Sequence, residues 1–193
     1  MRSDAHMRNG RGRIAGVLRD RTGAAALEMA LIAPVLLLIL AATVDLGGVI
    51  YARFQLSSAV NAATNYAIVN VASVNSTSGP TLATNLATLT ANVNGTAWAN
   101  SSVTVNSGPT AANTNGTATS GGTATAANSC YCPTGSAPSI TWGSAVSCGT
   151  PCASGYAGMF VLVTASHTYT PFFSKYGIVK NGAISVSSMV QVQ

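Results

Sequence analysis

A chain of 193 residues is long enough for one domain with a tail, and only 7% of it is charged, against roughly a quarter in soluble globular proteins. The net charge of +5 is concentrated at one end, where six of the nine basic residues fall within residues 1–23 and only Asp4 and Asp20 oppose them. Residues 24–193 hold Arg53, Lys175 and Lys180 against Glu28 and Asp45, so there is no basic patch beyond the leader and nothing supports a nucleic-acid partner.

The leader carries Arg2, Arg8, Arg11, Arg13, Arg19 and Arg21 and runs into an apolar stretch from Ala24 to Val44. That stretch has 21 residues, close to the ~20 that cross a bilayer core as a helix. Arginines flanking such a helix stay cytoplasmic. Everything after Asp45 then lies across the membrane, in a bacterium the periplasm or beyond.

Glu28 interrupts the apolar run, and a carboxylate in hydrocarbon is costly. Three readings compete for the segment. A cleaved secretory signal needs a shorter apolar core followed by a small-residue site, which LAATVDLGG offers only after a long run. A plain signal-anchor leaves Glu28 snorkelling toward the interface. The third reading uses every unusual residue together. A basic leader, Gly23, the four residues Ala24-Ala25-Ala26-Leu27, Glu28 and then an apolar helix make up a type IV prepilin processing signal. Gly23 has no Cβ, so the chain there can lie extended against a protease.

Pro34 lies inside the predicted helix, where it removes one backbone hydrogen bond. Neighbouring helices satisfy such freed groups in a bilayer, so Pro34 is read as a kink. Asp45 reads as a solvated stop at the far interface, and Gly47-Gly48 loosens the exit. Beyond it, apolar residues at three- and four-residue spacings predict an amphipathic helical extension to about Ser73. The segment VNSTSGP supplies turn residues. Leu82, Leu86 and Leu89, at i, i+4 and i+7, predict a second helix over 81–92.

SSVTVNS (101–107) alternates as a strand does. The following stretch, 108–129, is low-complexity Gly, Thr, Ala and Asn, and reads as a flexible surface loop. Asn-x-Ser/Thr sequons at Asn75, Asn94, Asn100 and Asn115 are what chance provides in this composition. Four cysteines follow, Cys130, Cys132, Cys148 and Cys152, and four cysteines allow three pairings. Antiparallel pairing keeps the sum of residue numbers nearly constant, which favours the nested pairs Cys130–Cys152 and Cys132–Cys148 in a hairpin over 130–152. A four-thiolate zinc site is the rival, but its spacings fit poorly and an oxidising compartment favours disulfides. FVLVTASHTYT (160–170) and AISVSSMVQVQ (183–193) are the clearest strands, with Ile184, Val186, Val190 and Val192 on one face. Pro171 ends the first and Asn181-Gly182 turns into the second, so the two pair antiparallel.

Enzymatic chemistry has little to stand on. Past the membrane Asp45 is the one acid, His167 stands by itself on an alternating strand, and no credible third member completes a Ser-His-Asp arrangement. His and carboxylates do not cluster, so neither a metal nor a cofactor is expected.

The segment 19–66, through the match RTGAAALEMALIAPVLLLILAATVDLGGVIYARFQLSSAVNAATNYA (21–67), resembles the N-terminus of the TadE-like family, pseudopilins (minor pilins) of the tight-adherence, Flp-type pilus machinery. Gly23, Glu28, Ala33-Pro34 and Asp45-Leu46-Gly47 occupy the family's characteristic places. FVLVTASHTYTPFF and ISVSSMVQVQ resemble its ending, and the middle carries no likeness. The resemblance implies cleavage between Gly23 and Ala24 by a prepilin peptidase, and Glu28 meeting the new Ala24 ammonium of a neighbouring subunit. It implies an inner-membrane protein with its C-terminal region periplasmic. Other pilins or pseudopilins, the inner-membrane assembly platform and the lipid bilayer are its implied partners. The expected fold is α+β, with a long N-terminal transmembrane helix extending into a pilin-like region with a small antiparallel sheet. Its expected divisions are the leader 1–23, the membrane helix 24–44, the helical extension 45–74 and an exported region 75–193. The competing function is a signal-anchored surface-binding or adhesion module, which has no need of a cut at Gly23.

Overall fold

The computed structural model describes residues 23–93, 95–171, 179 and 182–193. The arginine leader before Gly23 and most of the expected loop between the last two strands, with Asn181, Lys175 and Lys180, lie outside the described residues. The chain divides into two units, Met1–Val44 and Asp45–Gln193.

Helix α1 (Ala24–Val69) supplies the described part of the first unit up to Val44. Its most apolar window has a mean hydropathy of 2.4, and apolar side chains are exposed all round it: Leu31 is 70% exposed and Leu37 63%. A helix apolar on every side has no polar face to give to water and suits hydrocarbon. It is the one described helix long and apolar enough to cross a membrane.

The second unit begins with the remainder of α1, where the pattern changes to a single buried stripe. Asp45, Ala52, Leu56, Ala59, Val60, Ala63, Thr64 and Ala67 are buried, at the three- and four-residue spacing of one helical face. Four of the eight are alanines, so the backbone can approach its neighbours closely. A 3-10 turn, Val71–Ser73, closes the extension, about where the sequence places its end.

Helix α2 (Gly79–Ala91) follows. The Asn75 carboxamide oxygen accepts from the amides of Thr77 and Ser78, each at 2.8 Å, and Pro80 sits in the first turn, where its missing N–H costs nothing. The buried face is Leu82, Ala83, Leu86, Ala87, Thr90 and Ala91. Leu89, expected on that face, is 43% exposed. Thr90 takes the position instead and satisfies its hydroxyl on Leu86 O at 2.7 Å.

A five-stranded sheet completes the unit: β1 (Asn100–Val105), β2 (Pro109–Thr114), β3 (Thr117–Gly122), and, after a 3-10 turn at Ala124–Asn128 and a bridged loop, β6 (Phe160–Thr168) and β7 (Ala183–Gln191). The order is β3-β2-β1-β6-β7, antiparallel throughout. Val103, Val105, Ala111, Val161, Val163, Ala165 and Ile184 face one core with Leu56 and Val60 of α1 and Leu82 and Leu86 of α2, and Val186, Val190 and Val192 pack against it. Burying each such Leu or Val side chain contributes about 1.5–3 kcal/mol. The structure is thus α+β, as the sequence predicts, and the antiparallel pairing of β6 with β7 is as expected.

The stretch 108–129 departs from expectation. It is β2, β3 and the 3-10 turn, not a flexible loop. Asn115 and Gly116 both have positive φ, 50° and 84°, the conformation of a two-residue type I′ hairpin, and they join Thr114 to its partner Thr117. Small residues can pave a strand wherever helix α2 covers it, and β2 buries alternate positions. β3 is exposed throughout, as an edge strand can be.

The cysteines also differ from expectation. They form Cys130–Cys148 and Cys132–Cys152, with Cα atoms 5.0 and 5.7 Å apart, a crossed pairing in place of the nested one. Residues 130–152 are not one hairpin. A small hairpin of β4 (Thr134–Ser136) and β5 (Ser139–Thr141) turns inside the loop. Meanwhile Cys130 O accepts from Val146 N at 2.9 Å, and Tyr131 exchanges hydrogen bonds with Gly158. Successive residues of an extended segment direct their backbone groups to opposite sides, so residues 130–132 are flanked by two different neighbours. Cys130 therefore meets the segment ending at Cys148, and Cys132 meets the later turn at Cys152.

Candidate processing segment and membrane helix

The residues that the sequence suggests as a processing site sit at the start of α1. Gly23 precedes the first α-helical residue, Ala24, and a Cβ built on Gly23 would meet nothing within 4 Å. Gly23, Ala24 and Glu28 are all exposed. Ala24 and Glu28 are four residues apart, so both occupy one helix face a turn apart. After a cut at Gly23, an ammonium on Ala24 and the Glu28 carboxylate would present opposite charges along that face. α1 continues through Pro34. Its ring removes the hydrogen bond that Ala30 O would accept, and a carbonyl so freed in hydrocarbon needs another partner.

Sequence reasoning missed a second feature at the point where the apolar run ends. Asp45 is fully buried, not a solvated stop. Its backbone oxygen accepts from the Tyr169 hydroxyl at 3.2 Å. The same phenol covers Gly48 so closely that a Cβ there would strike it. Gly48 is therefore where the helix admits Tyr169 rather than where it loosens, and Gly47, with open space around it, has no such duty. A Gly-Gly pair just after an acid was the available signal, but its partner lies 124 residues away.

His167, expected on a sheet face, lies on β6 with its ring stacked on Trp98 at 3.9 Å between centroids, and its Nδ1 meets Trp98 O at 2.7 Å. All four cysteines are consumed by disulfides, which displaces the zinc reading. Among the described residues no three His, Cys, Asp or Glu side chains gather as metal ligands would. The structure thus joins the cysteines in pairs within the second unit, while Gly23, Ala24, Glu28 and Pro34 follow one another along the helix of the first.

An exposed apolar helix that opens on Gly-x4-Glu, followed by a small antiparallel sheet, is an α+β architecture whose first helix is compatible with a single-pass membrane anchor. Residues 23–64 match the model of a family described as TadE-like protein. The match begins at Gly23, takes in Glu28, Pro34, Asp45 and Gly48, and lies inside the segment whose resemblance the sequence suggested. It supports a part in the tight-adherence, Flp-type pilus system. No curated protein and no solved structure matches the chain.

Proposed function

We propose that the chain is a pseudopilin of the Flp-type pilus, inserted in the bacterial inner membrane with residues 1–23 cytoplasmic and the second unit periplasmic. A prepilin peptidase removes the leader after Gly23. The Ala24 ammonium then pairs with Glu28 of an adjacent subunit and sets the stagger between helices. A buried charge paired in this way is tolerated in an apolar setting, whereas an unpaired one costs several kcal/mol. Pro34 kinks the membrane helix and eases its departure from the bilayer. The role is structural rather than enzymatic, exercised through other pilins and the assembly platform.

The observation that supports this reading best is the coincidence of the family match with the processing glycine, since both begin at Gly23. N-terminal sequencing and intact mass of the membrane-extracted protein, with and without the peptidase, test it. An N-terminus at Ala24 that depends on the peptidase is expected. An uncut chain starting at Met1 or Met7 leaves a signal-anchor and removes the assembly mechanism. Cleavage near Ala41 or Ala42 makes it a secreted domain.

A further inference from the structure

A pocket of about 510 Å³ opens between the bridged loops and the end of the sheet. Phe160 on β6 and Met189 on β7, diagonal across the strand pair with Phe160 opposite Gln191, give it an apolar floor, and the Cys132–Cys152 bridge forms one wall. Tyr156 stands at its margin, 66% exposed. The turn that carries Tyr156 is held by an antiparallel bridge between Pro151 and Tyr156 and by Cys152 N donating to Gly155 O at 3.0 Å. On the opposite side Gln191 is fixed by its Nε2 donating to Gln193 O at 3.1 Å. The bridged wall and the backbone of the turn are therefore set before anything binds, which lowers the ordering cost of binding.

The lining chemistry narrows the occupant. Among the described residues, no charged side chain lines the pocket, so the described lining offers a counter-charge to neither an anionic nor a cationic ligand. An exposed aromatic ring, the apolar side chains of Phe160 and Met189, and the hydroxyl and amide groups of Thr134, Ser154 and Gln191 are complementary to a pyranose. Such a ring has an apolar C–H face and a belt of hydroxyls.

The neighbouring sheet surface extends the same chemistry. On the face opposite the buried Val103, Val163 and Ala165, Ser102 pairs with Thr164, Thr164 with Ser187, and Ser166 with Ser185. A chain of sugar units leaving the pocket would run over hydroxyls. We propose that this pocket binds a neutral saccharide, stacked on Tyr156 and hydrogen-bonded through Ser154 and Gln191. The inference does not rest on processing at Gly23 and would stand for an uncut anchor as well.

The test is a ligand-observed NMR titration of the full chain in phosphatidylcholine nanodiscs, which avoids sugar-based detergents. The probes are maltotriose, cellotriose, galactotriose and triacetylchitotriose, with a galacturonic acid trimer as acidic control. Saturable binding of at least one neutral trimer is expected, weakened tenfold or more by Tyr156→Ala and unchanged by Tyr66→Ala, an exposed tyrosine on α1. No binding of any neutral trimer, preference for the acidic one, or binding undiminished in Tyr156→Ala would each overturn the proposal.

Discussion

Asn106 is the buried polar residue on which three separate segments converge, and its replacement has a cost that can be worked out bond by bond. Its side chain is fully buried. Nδ2 donates to Ala127 O at 2.9 Å and to Ser129 O, while Oδ1 accepts from Phe160 N at 3.3 Å. It thereby ties the end of β1 to the 3-10 turn and to the start of β6. Its φ of 50° lies in the left-handed region, which asparagine tolerates better than most residues. Asn106→Ala strands two carbonyls that had strong donors, at about 1–2 kcal/mol each, and one weakly held amide. The left-handed backbone adds about 1 kcal/mol, giving a total of about 3–5 kcal/mol. Asn106→Gly loses the same side-chain bonds without the steric penalty, so it should be destabilised by about 1 kcal/mol less than the alanine variant. Asn106→Asp keeps the shape but turns a carboxylate oxygen toward two carbonyls, and should cost at least as much as alanine. Urea unfolding of the full chain in detergent, followed by fluorescence of Trp98 and Trp142, reads all three. A cost below about 1 kcal/mol for Asn106→Ala, or equal costs for alanine and glycine, would refute this account of the residue.

Two further substitutions follow from neighbouring glycines. Gly48→Ala places a methyl where the Tyr169 phenol lies and should lower the melting temperature, with Tyr169→Phe in the same chain restoring part of the loss. Gly47→Ala meets open space and should be neutral or stabilising by up to about 1 kcal/mol through helix propensity. The bridges give a chemical readout. Cys148→Ser should leave one free thiol at Cys130 with Cys132–Cys152 intact, whereas nested pairing would free Cys132; peptide mapping without reductant distinguishes the two. Loss of either bridge should cost about 3 kcal/mol, given loops of 18 and 20 residues.

What could be read in advance was whatever is encoded locally and strongly. The apolar run, the helical extension to about Ser73, and the two terminal strands each carry a period over many residues, and no tertiary contact had to be known to see them. The hairpin of β2 and β3 was missed because its strands are built of Thr, Ala, Asn and Gly, whose side chains give almost no hydropathy contrast. The signal was Asn115-Gly116, a type I′ pair flanked by alternating small residues, and it was masked by the composition around it. Leu89 was misplaced for a related reason. A Leu pattern at i, i+4 and i+7 leaves the face undecided by one position, and the alanines 83, 87 and 91 mark it better than the leucines do.

The remaining misses are non-local. The cysteine pairing depends on Tyr131 meeting Gly158, a contact outside the segment that the cysteines enclose. Asp45 looked like an interfacial stop because hydropathy ends there, yet it is buried and its backbone oxygen meets the Tyr169 hydroxyl 124 positions later. The family match ends at residue 64, and the whole sheet and its pocket lie beyond it. The matched N-terminal segment thus covers the apolar helix and most of its extension. The bridged loops and the pocket beside Tyr156, which no charged side chain lines among the described residues, lie beyond the matched segment, and there side-chain chemistry is the guide.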